Sequence, residues 1–187
     1  GSAKTDTITL MTGGQLVLKA VESVVGSSGS DQVTLATAGT LVVAGVETVI
    51  GSSGADTITI TGTTAAVIRG GGGADKLTGG SGSNRFRYTA AAESSPTAKD
   101  TLTNFSVSRD VIEILASLRS GSGDGTFIGS TAFSGKGACQ IRFNDSSKLL
   151  EIDLDGKSTK KAEMAFTLTG VKLDDLKASN SWLSWSG

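Results

Sequence analysis

The chain of 187 residues contains no histidine, one cysteine and one proline. Without histidine the commonest general base, any Ser-His-Asp triad and most zinc or copper sites are excluded. Cys139 stands alone, so no internal disulfide can form and stability must come from another source. Cys139 itself reads as a small buried hydrophobe in a strand. One proline against 26 glycines, about twice the average glycine share, excludes collagen-like and proline-rich disordered classes. The net charge is −1 and the lysines and arginines are scattered singly. That leaves no electrostatic footprint for nucleic acid and no basic run for a membrane surface. No apolar stretch approaches the length of a transmembrane helix. No N-terminal signal peptide is visible, and Gly1-Ser2 reads as a cloning remnant.

What the chain has in abundance is a glycine-rich loop repeated with a fixed internal pattern. Gly70-Gly71-Gly72-Gly73-Ala74-Asp75-Lys76-Leu77-Thr78 is followed directly by Gly79-Gly80-Ser81-Gly82-Ser83-Asn84-Arg85-Phe86-Arg87. Both read G-G-x-G-x-[D/N]-x-U-x, where U is a large apolar residue, and this matches the RTX nonapeptide of calcium-binding parallel β-helices. Glycines let the backbone turn through positive φ and bring carbonyl oxygens inward. The acidic residue adds a charged oxygen, and U starts a strand that points into the core. Hard cations such as calcium take six to eight such oxygens. Gly51-Ser52-Ser53-Gly54-Ala55-Asp56-Thr57-Ile58-Thr59 and Gly26-Ser27-Ser28-Gly29-Ser30-Asp31-Gln32-Val33-Thr34 repeat the unit with serine second. Thr5-Asp6-Thr7-Ile8-Thr9-Leu10 looks like the tail of a fifth. The loop acids fall at 6, 31, 56 and 75, then Asn84, in steps of 25, 25, 19 and 9.

Short β-branched runs separated by Gly and Ser loops fill the first half and argue for strands in a solenoid. Gln15–Gly26 aligns with Thr40–Gly51, and each 25-residue unit offers three strands. That count suits one coil of a broad parallel β-helix, narrowing to nine-residue half-turns at 70–88. The second half does not repeat. Strands are predicted at 100–105, 109–114 and 166–171, with a hairpin of 138–143 and 148–154 about Asn144–Ser147. A helical turn is predicted at 173–176. Phe86, Trp182 and Trp185 read as core aromatics. The expected fold is all-β: a parallel β-helix or β-roll solenoid over 1–88, then a C-terminal antiparallel β cap with a secretion-signal region over 89–187.

From about residue 70 onward the chain resembles the C-terminal domain of serralysin-type metalloproteases and related RTX exoproteins. The segments that carry the likeness are Asp100–Phe105, Asp110–Ile114, Phe127–Gly135, Leu154-Asp155-Gly156 and Phe166–Val171. The protease motif H-E-x-x-H is impossible here without histidine. The resemblance implies calcium held between successive loops by carbonyls at the first and third positions and a carboxylate at the sixth. Carried over, these are Gly26, Ser28 and Asp31; Gly51, Ser53 and Asp56; Gly70, Gly72 and Asp75; and Gly79, Ser81 and Asn84. If loops 26–31, 51–56 and 70–75 share an edge, ions would sit between Asp31 and Asp56 and between Asp56 and Asp75. Asp100 and Asp110 extend the ladder by resemblance or serve plain turns. Glu22 and Glu47 occupy matching places in the two units and read as capping or decorating a coil rather than as an acid/base pair. Asp153 and Asp155 with Gly156 look like half of a calcium loop but lack the further acids of an EF-hand, and read as a turn.

The function expected is a non-enzymatic calcium-binding RTX module that folds on extracellular calcium and serves as the C-terminal secretion and stabilising part of a larger exported protein. The partner implied by resemblance is a type I secretion apparatus, and the location is secreted, extracellular or cell-surface. The alternative is a module for surface-layer assembly, adhesion or polysaccharide binding, working by self-association or by contact with a cell-surface glycan.

Overall fold

A computed structural model describes residues 6–120, 125–157, 161–179 and 181–187; Gly1-Ser2 and the rest of 1–5 lie outside it. Among the described residues seventeen strands run in chain order. The first ten are β1 Thr7–Thr9, β2 Gly14–Leu18, β3 Ser23–Val25, β4 Asp31–Leu35, β5 Thr40–Ala44, β6 Thr48–Ile50, β7 Thr57–Thr61, β8 Val67–Arg69, β9 Lys76–Thr78 and β10 Arg85–Tyr88. They are followed by β11 Asp100–Thr103, β12 Val111–Leu115, β13 Thr126–Phe127, β14 Gln140–Asn144, β15 Leu149–Asp153, β16 Met164–Leu168 and β17 Leu183–Ser186, with one helix, α1 Leu173–Ala178, before β17.

Period-two alternation decides which way each strand faces. In β4, Asp31, Val33 and Leu35 are buried while Gln32 and Thr34 are not; in β7, Ile58 and Ile60 are buried. Odd-numbered strands β1 to β11 stack in one parallel sheet and even-numbered strands β2 to β12 in a second. The core lies between them. In the first sheet Leu41, Ile58, Leu77, Leu102 and Leu168 stand in register. In the second, Val33, Val49, Ile68, Phe86, Ile112 and Leu183 do the same. The apolar residue of every nonapeptide thus falls in one of these two stacks. Each fully buried member contributes about 1.5–3 kcal/mol, and no coil can bury its own without the next.

The fold is the all-β roll expected, but the coil is narrower than the 25-residue repeat suggested. Two strands make each coil throughout. One coil runs 16 residues from Val33 to Val49, 17 from Leu41 to Ile58, and 19 from Ile58 to Leu77. Three strands per 25-residue unit is right, so each unit spans one and a half coils. Val, Ile and Leu from the two facing sheets fill the roughly 10 Å between them.

The parallel ladders run on beyond residue 88. β11 pairs with β9, β12 with β10, and β17 with β12. The first sheet then continues through β16, which is parallel to β11, into the antiparallel set β16, β15 and β14. The hairpin expected about Asn144–Ser147 is present as β14 and β15. Phe86, Trp182 and Cys139 are buried, and the Trp182 indole N–H donates to the Leu176 carbonyl at 3.0 Å.

Candidate metal centre

Because the strands alternate between sheets, the loops alternate between two edges. Loops 51–56 and 70–75 cross from the second sheet to the first. Loops 26–30, 79–84 and 104–110 cross the other way. Asp31 therefore lies on the opposite edge from Asp56 and Asp75, and no shared Asp31–Asp56 site exists. A repeat of one and a half coils imposes this, since corresponding loops of successive units face opposite edges.

On one edge the carboxylates form a ladder. The Gly39 N–H donates to Asp56 Oδ1 at 2.7 Å, the Asp56 N–H to Asp75 Oδ1 at 2.7 Å, and the Asp75 N–H to Asp100 Oδ1 at 2.9 Å. Asp56, Asp75 and Asp100 are 2%, 1% and 0% exposed, respectively. Asp100 thus belongs to the ladder, and the Tyr88 hydroxyl donates to its Oδ2 at 2.9 Å. Ser94 ends the row: its Oγ accepts the Asp100 N–H and donates to the Ala165 carbonyl in the cap. The other edge repeats the device. The Gly14 N–H donates to Asp31 Oδ1 and the Asn84 N–H to Asp110 Oδ1. Glu47 Oε2 accepts the Asp31 N–H at 2.8 Å and Glu22 Oε2 accepts the Asp6 N–H at 2.9 Å, the coil-capping role read from their matching places.

The second carboxylate oxygens separate the loops. Ser27 donates to Asp31 Oδ2 through its N–H at 2.6 Å and its hydroxyl at 2.9 Å. Ser52 does the same to Asp56 Oδ2, at 2.6 and 2.9 Å. Asp110 Oδ2 accepts the Ser106 N–H and pairs with Arg109. Asp75 Oδ2 is buried with no hydrogen-bond partner, and so is Asn84 Oδ1. The amide of Asn84 spans its own loop instead, with Nδ2 donating to the Gly80 and Gly82 carbonyls at 3.1 and 2.9 Å. A buried acceptor left unmade costs about 1–3 kcal/mol, and more when charged, so Asp75 is the unbalanced member of the row.

Electrostatics agree with the geometry. Burial pushes the Asp75 carboxyl up to about 6, with the charges of Asp56 and Glu93 adding and the Asp56 N–H opposing. Burial likewise raises Asp100 to about 7, reinforced by Asp75. Among the described residues no lysine or arginine pairs with Asp56, Asp75 or Asp100, while Glu93 is held by Arg69.

The glycines answer to crowding by oxygen. A Cβ at Gly70 would collide with Asp75 Oδ2, and one at Gly51 with the Gly70 carbonyl. Gly71 has φ +94° and a Cβ there would strike the Ser52 carbonyl; a Cβ at Gly72 would lie 3.1 Å from the Ser53 carbonyl. A Cβ at Gly26 would collide with the Gly45 carbonyl and lie 3.0 Å from Asp31 Oδ2. A Cβ at Gly79 would lie 3.0 Å from the Asn84 amide nitrogen, while Ser28, Ser53 and Ser81 are exposed. Backbone oxygens of loop 51–56 thus crowd onto Gly71 and Gly72, and the unsatisfied Asp75 Oδ2 stands beside Gly70 in the same loop. That is a donor set for a hard cation. Sequence reasoning singled out these positions, but it passed over Ser27, Ser52 and Tyr88, whose hydroxyls settle which carboxylates are already satisfied.

Among known proteins, a search of curated sequences found no match. The solution structure of the AlgE6R2 subunit from the Azotobacter vinelandii mannuronan C5-epimerase is similar at 20% identity and TM-score 0.42, over 98% of this chain and 93% of that one. The profile of the Peptidase M10 serralysin C-terminal family matches residues 19–177, and the chain belongs to that family of RTX-type domains.

Proposed function

We propose that the chain is a non-enzymatic calcium-binding module of an exported protein, ordered by the calcium it meets outside the cell. The observation that carries this reading is the buried, unpartnered Asp75 Oδ2 within the Asp56–Asp75–Asp100 ladder. The residues that would hold an ion there are Asp56, Asp75 and Asp100, with the carbonyls of Gly51, Ser53, Gly70 and Gly72. On the opposite edge the candidates are Asn84 and Asp110 with Gly79 and Ser81, and Asp31 with Gly26 and Ser28. A bound calcium ion supplies the positive charge that the buried carboxylates lack.

The chain's own residues set where that charge matters most. Ser27 and Ser52 already satisfy Asp31 and Asp56, so the greatest gain from calcium falls at Asp75. A glycine-rich chain loses much entropy on ordering, and binding energy available only to the folded state offsets that loss. Membership of the serralysin C-terminal family supports an exported parent protein, and passage through a type I secretion apparatus is the route proposed for it. No helix among the described residues is long and apolar enough to cross a membrane. Calcium titration followed by circular dichroism and calorimetry tests the reading: heat of binding and a gain in ordered strand support it, and a fold indifferent to chelator sinks it.

A second reading, attachment to a polysaccharide or assembly into a surface layer, draws on the outer face of the first sheet. Thr40, Thr57, Lys76 and Thr101 line one row there, and Val42, Thr59, Thr78 and Thr103 the next, with Lys76 the single charge among the eight. Co-sedimentation with insoluble glycan and calcium-dependent self-association in the ultracentrifuge separate its two forms.

A further inference from the structure

We infer that Asp153, Asp155 and Glu163 form a further divalent-cation site, in the cap and apart from both edges of the roll, with calcium the ion it suits. The backbone brings the three together. Ile152 stands opposite Met164 in the antiparallel pair β15–β16, which sets Asp153 beside Glu163 at the strand ends. The Glu163 N–H donates to the Ile152 carbonyl at 2.9 Å, and the Leu154 N–H to Glu163 Oε2 at 2.7 Å. Gly156, at φ +59°, turns the chain back so that its N–H reaches Asp153 Oδ1 at 2.7 Å. One carboxylate oxygen from each of the three acids lies within 4.8 Å of the others. Oxygens that each stand about 2.4 Å from a calcium ion are at most about 4.8 Å apart, so one ion can touch all three.

An independent observation asks for a ligand. Asp153 is 1% exposed, yet its Oδ2 has no hydrogen-bond partner. Among the described residues the ion pair made by these three carboxylates is that of Asp155 Oδ2 with Lys157 at 2.7 Å, and the lysine side chain is 73% exposed. An ion pair so open to solvent is screened by water, and the lysine is free to swing away from the cluster. Among the described residues Asp153 and Glu163 have no lysine or arginine partner. Burial raises both of their carboxyls, and the Asp155 charge adds to each.

The ligand chemistry narrows the ion. All-oxygen donors suit hard cations and disfavour zinc or copper. A turn joined to a strand end offers irregular geometry, which calcium accepts and magnesium resists. Asp155 and Glu163 are half-buried, which leaves one side open for entry and for water to complete the shell.

The test counts ions on the full chain. Bound calcium is measured by equilibrium dialysis and native mass spectrometry for the parent, Glu163→Gln, Asp153→Asn and Asp75→Asn. The expected result is one ion fewer per chain in Glu163→Gln and in Asp153→Asn, with near-UV circular dichroism unchanged. Should Asp153→Asn unfold, Glu163→Gln and Asp155→Asn, at half-buried positions, give the same count. An unchanged count in folded Glu163→Gln and Asp155→Asn overturns the inference. If Asp75→Asn alone loses an ion, the roll reading stands and this one falls; a parent that binds no calcium overturns both.

Discussion

Ser52 Oγ donates to Asp56 Oδ2 at 2.9 Å, and nothing donates to the corresponding oxygen of Asp75 one coil further on. The difference lies at the second residue of the loop: Ser52 gives Asp56 Oδ2 its N–H, at 2.6 Å, as well as its hydroxyl, and Gly71 gives Asp75 Oδ2 neither. A hydrogen bond to a charged acceptor is worth about 1.5–3 kcal/mol net. The N–H and hydroxyl of one serine therefore do within one loop what a metal ion would do in the next, and calcium dependence should be graded along the roll.

Ser52→Gly removes that hydroxyl, keeps the N–H, and puts at the second loop position the glycine found at 71. In chelator the urea midpoint should fall by an amount worth about 1–2 kcal/mol. In millimolar calcium most of the loss should return, so the calcium-dependent shift exceeds that of the parent. Equal shifts in parent and variant, read by circular dichroism, would contradict the hydroxyl-for-ion exchange.

Asp75→Asn removes a buried charge that has no counter-ion. Without calcium the variant should be as stable as the parent or more so, since an unpaired carboxylate is the costlier group to bury. With calcium at a hundred times its dissociation constant the parent gains about 2.7 kcal/mol per site, and the variant should lose that increment. Thermal melts with and without chelator read both halves of the statement.

The pH dependence should change sign with calcium. In the folded chain Asp75 titrates near 6 and Asp100 near 7, both raised by burial above the usual carboxylate range. Between about pH 4 and 7 the folded state then binds more protons than the unfolded one, so calcium-free stability falls as pH rises through that window. Calcium holds the same groups ionised, and protons compete with it, so calcium-loaded stability should rise over the same range. Urea denaturation at pH 4.5 and 7.5 in each condition measures the crossing.

Gly70→Ala places a methyl group against Asp75 Oδ2. The carboxylate must move or the loop must open, at a cost of about 1–3 kcal/mol. Calcium affinity should fall together with stability, which titration calorimetry and a thermal melt report on one sample. An alanine variant with parental calcium affinity would show that Asp75 does not face the ion.

The strands and their inward faces were legible because period-two alternation of Val, Ile and Leu with Thr is a local signal. Ile58, Leu77 and Phe86 fall in the core stacks as their place in the nonapeptide indicates. The width of the coil was not legible. Three strands per 25 residues is a property of the sequence, but the number of strands in one turn depends on whether each loop crosses to the facing sheet. That is decided by how much volume the side chains can fill. For the same reason the opposed edges of Asp31 and Asp56 could not be read from equal spacing. Asp100 could be placed on the ladder only by family resemblance, since an inserted segment with a 3₁₀ turn at Ala91–Ser94 separates it from Asp75. The hydroxyls of Ser52 and Tyr88 find their acceptors through loop geometry and a contact across the core, neither of which leaves a mark in composition.

The repeat of one and a half coils means that a copied segment, β1 to β3 against β4 to β6, folds with its strands exchanged between the sheets. The two sheets are therefore interchangeable to the sequence, and the smallest element of growth is a single strand with its loop. A gene encoding such a roll can lengthen or shorten by half-turns, and each odd step hands the upstream acids to the other side of the molecule. Excising residues 31–55 should accordingly leave a folded, shorter roll. Its first loops would then line up with Asp75 and Asp100 in place of Asn84 and Asp110.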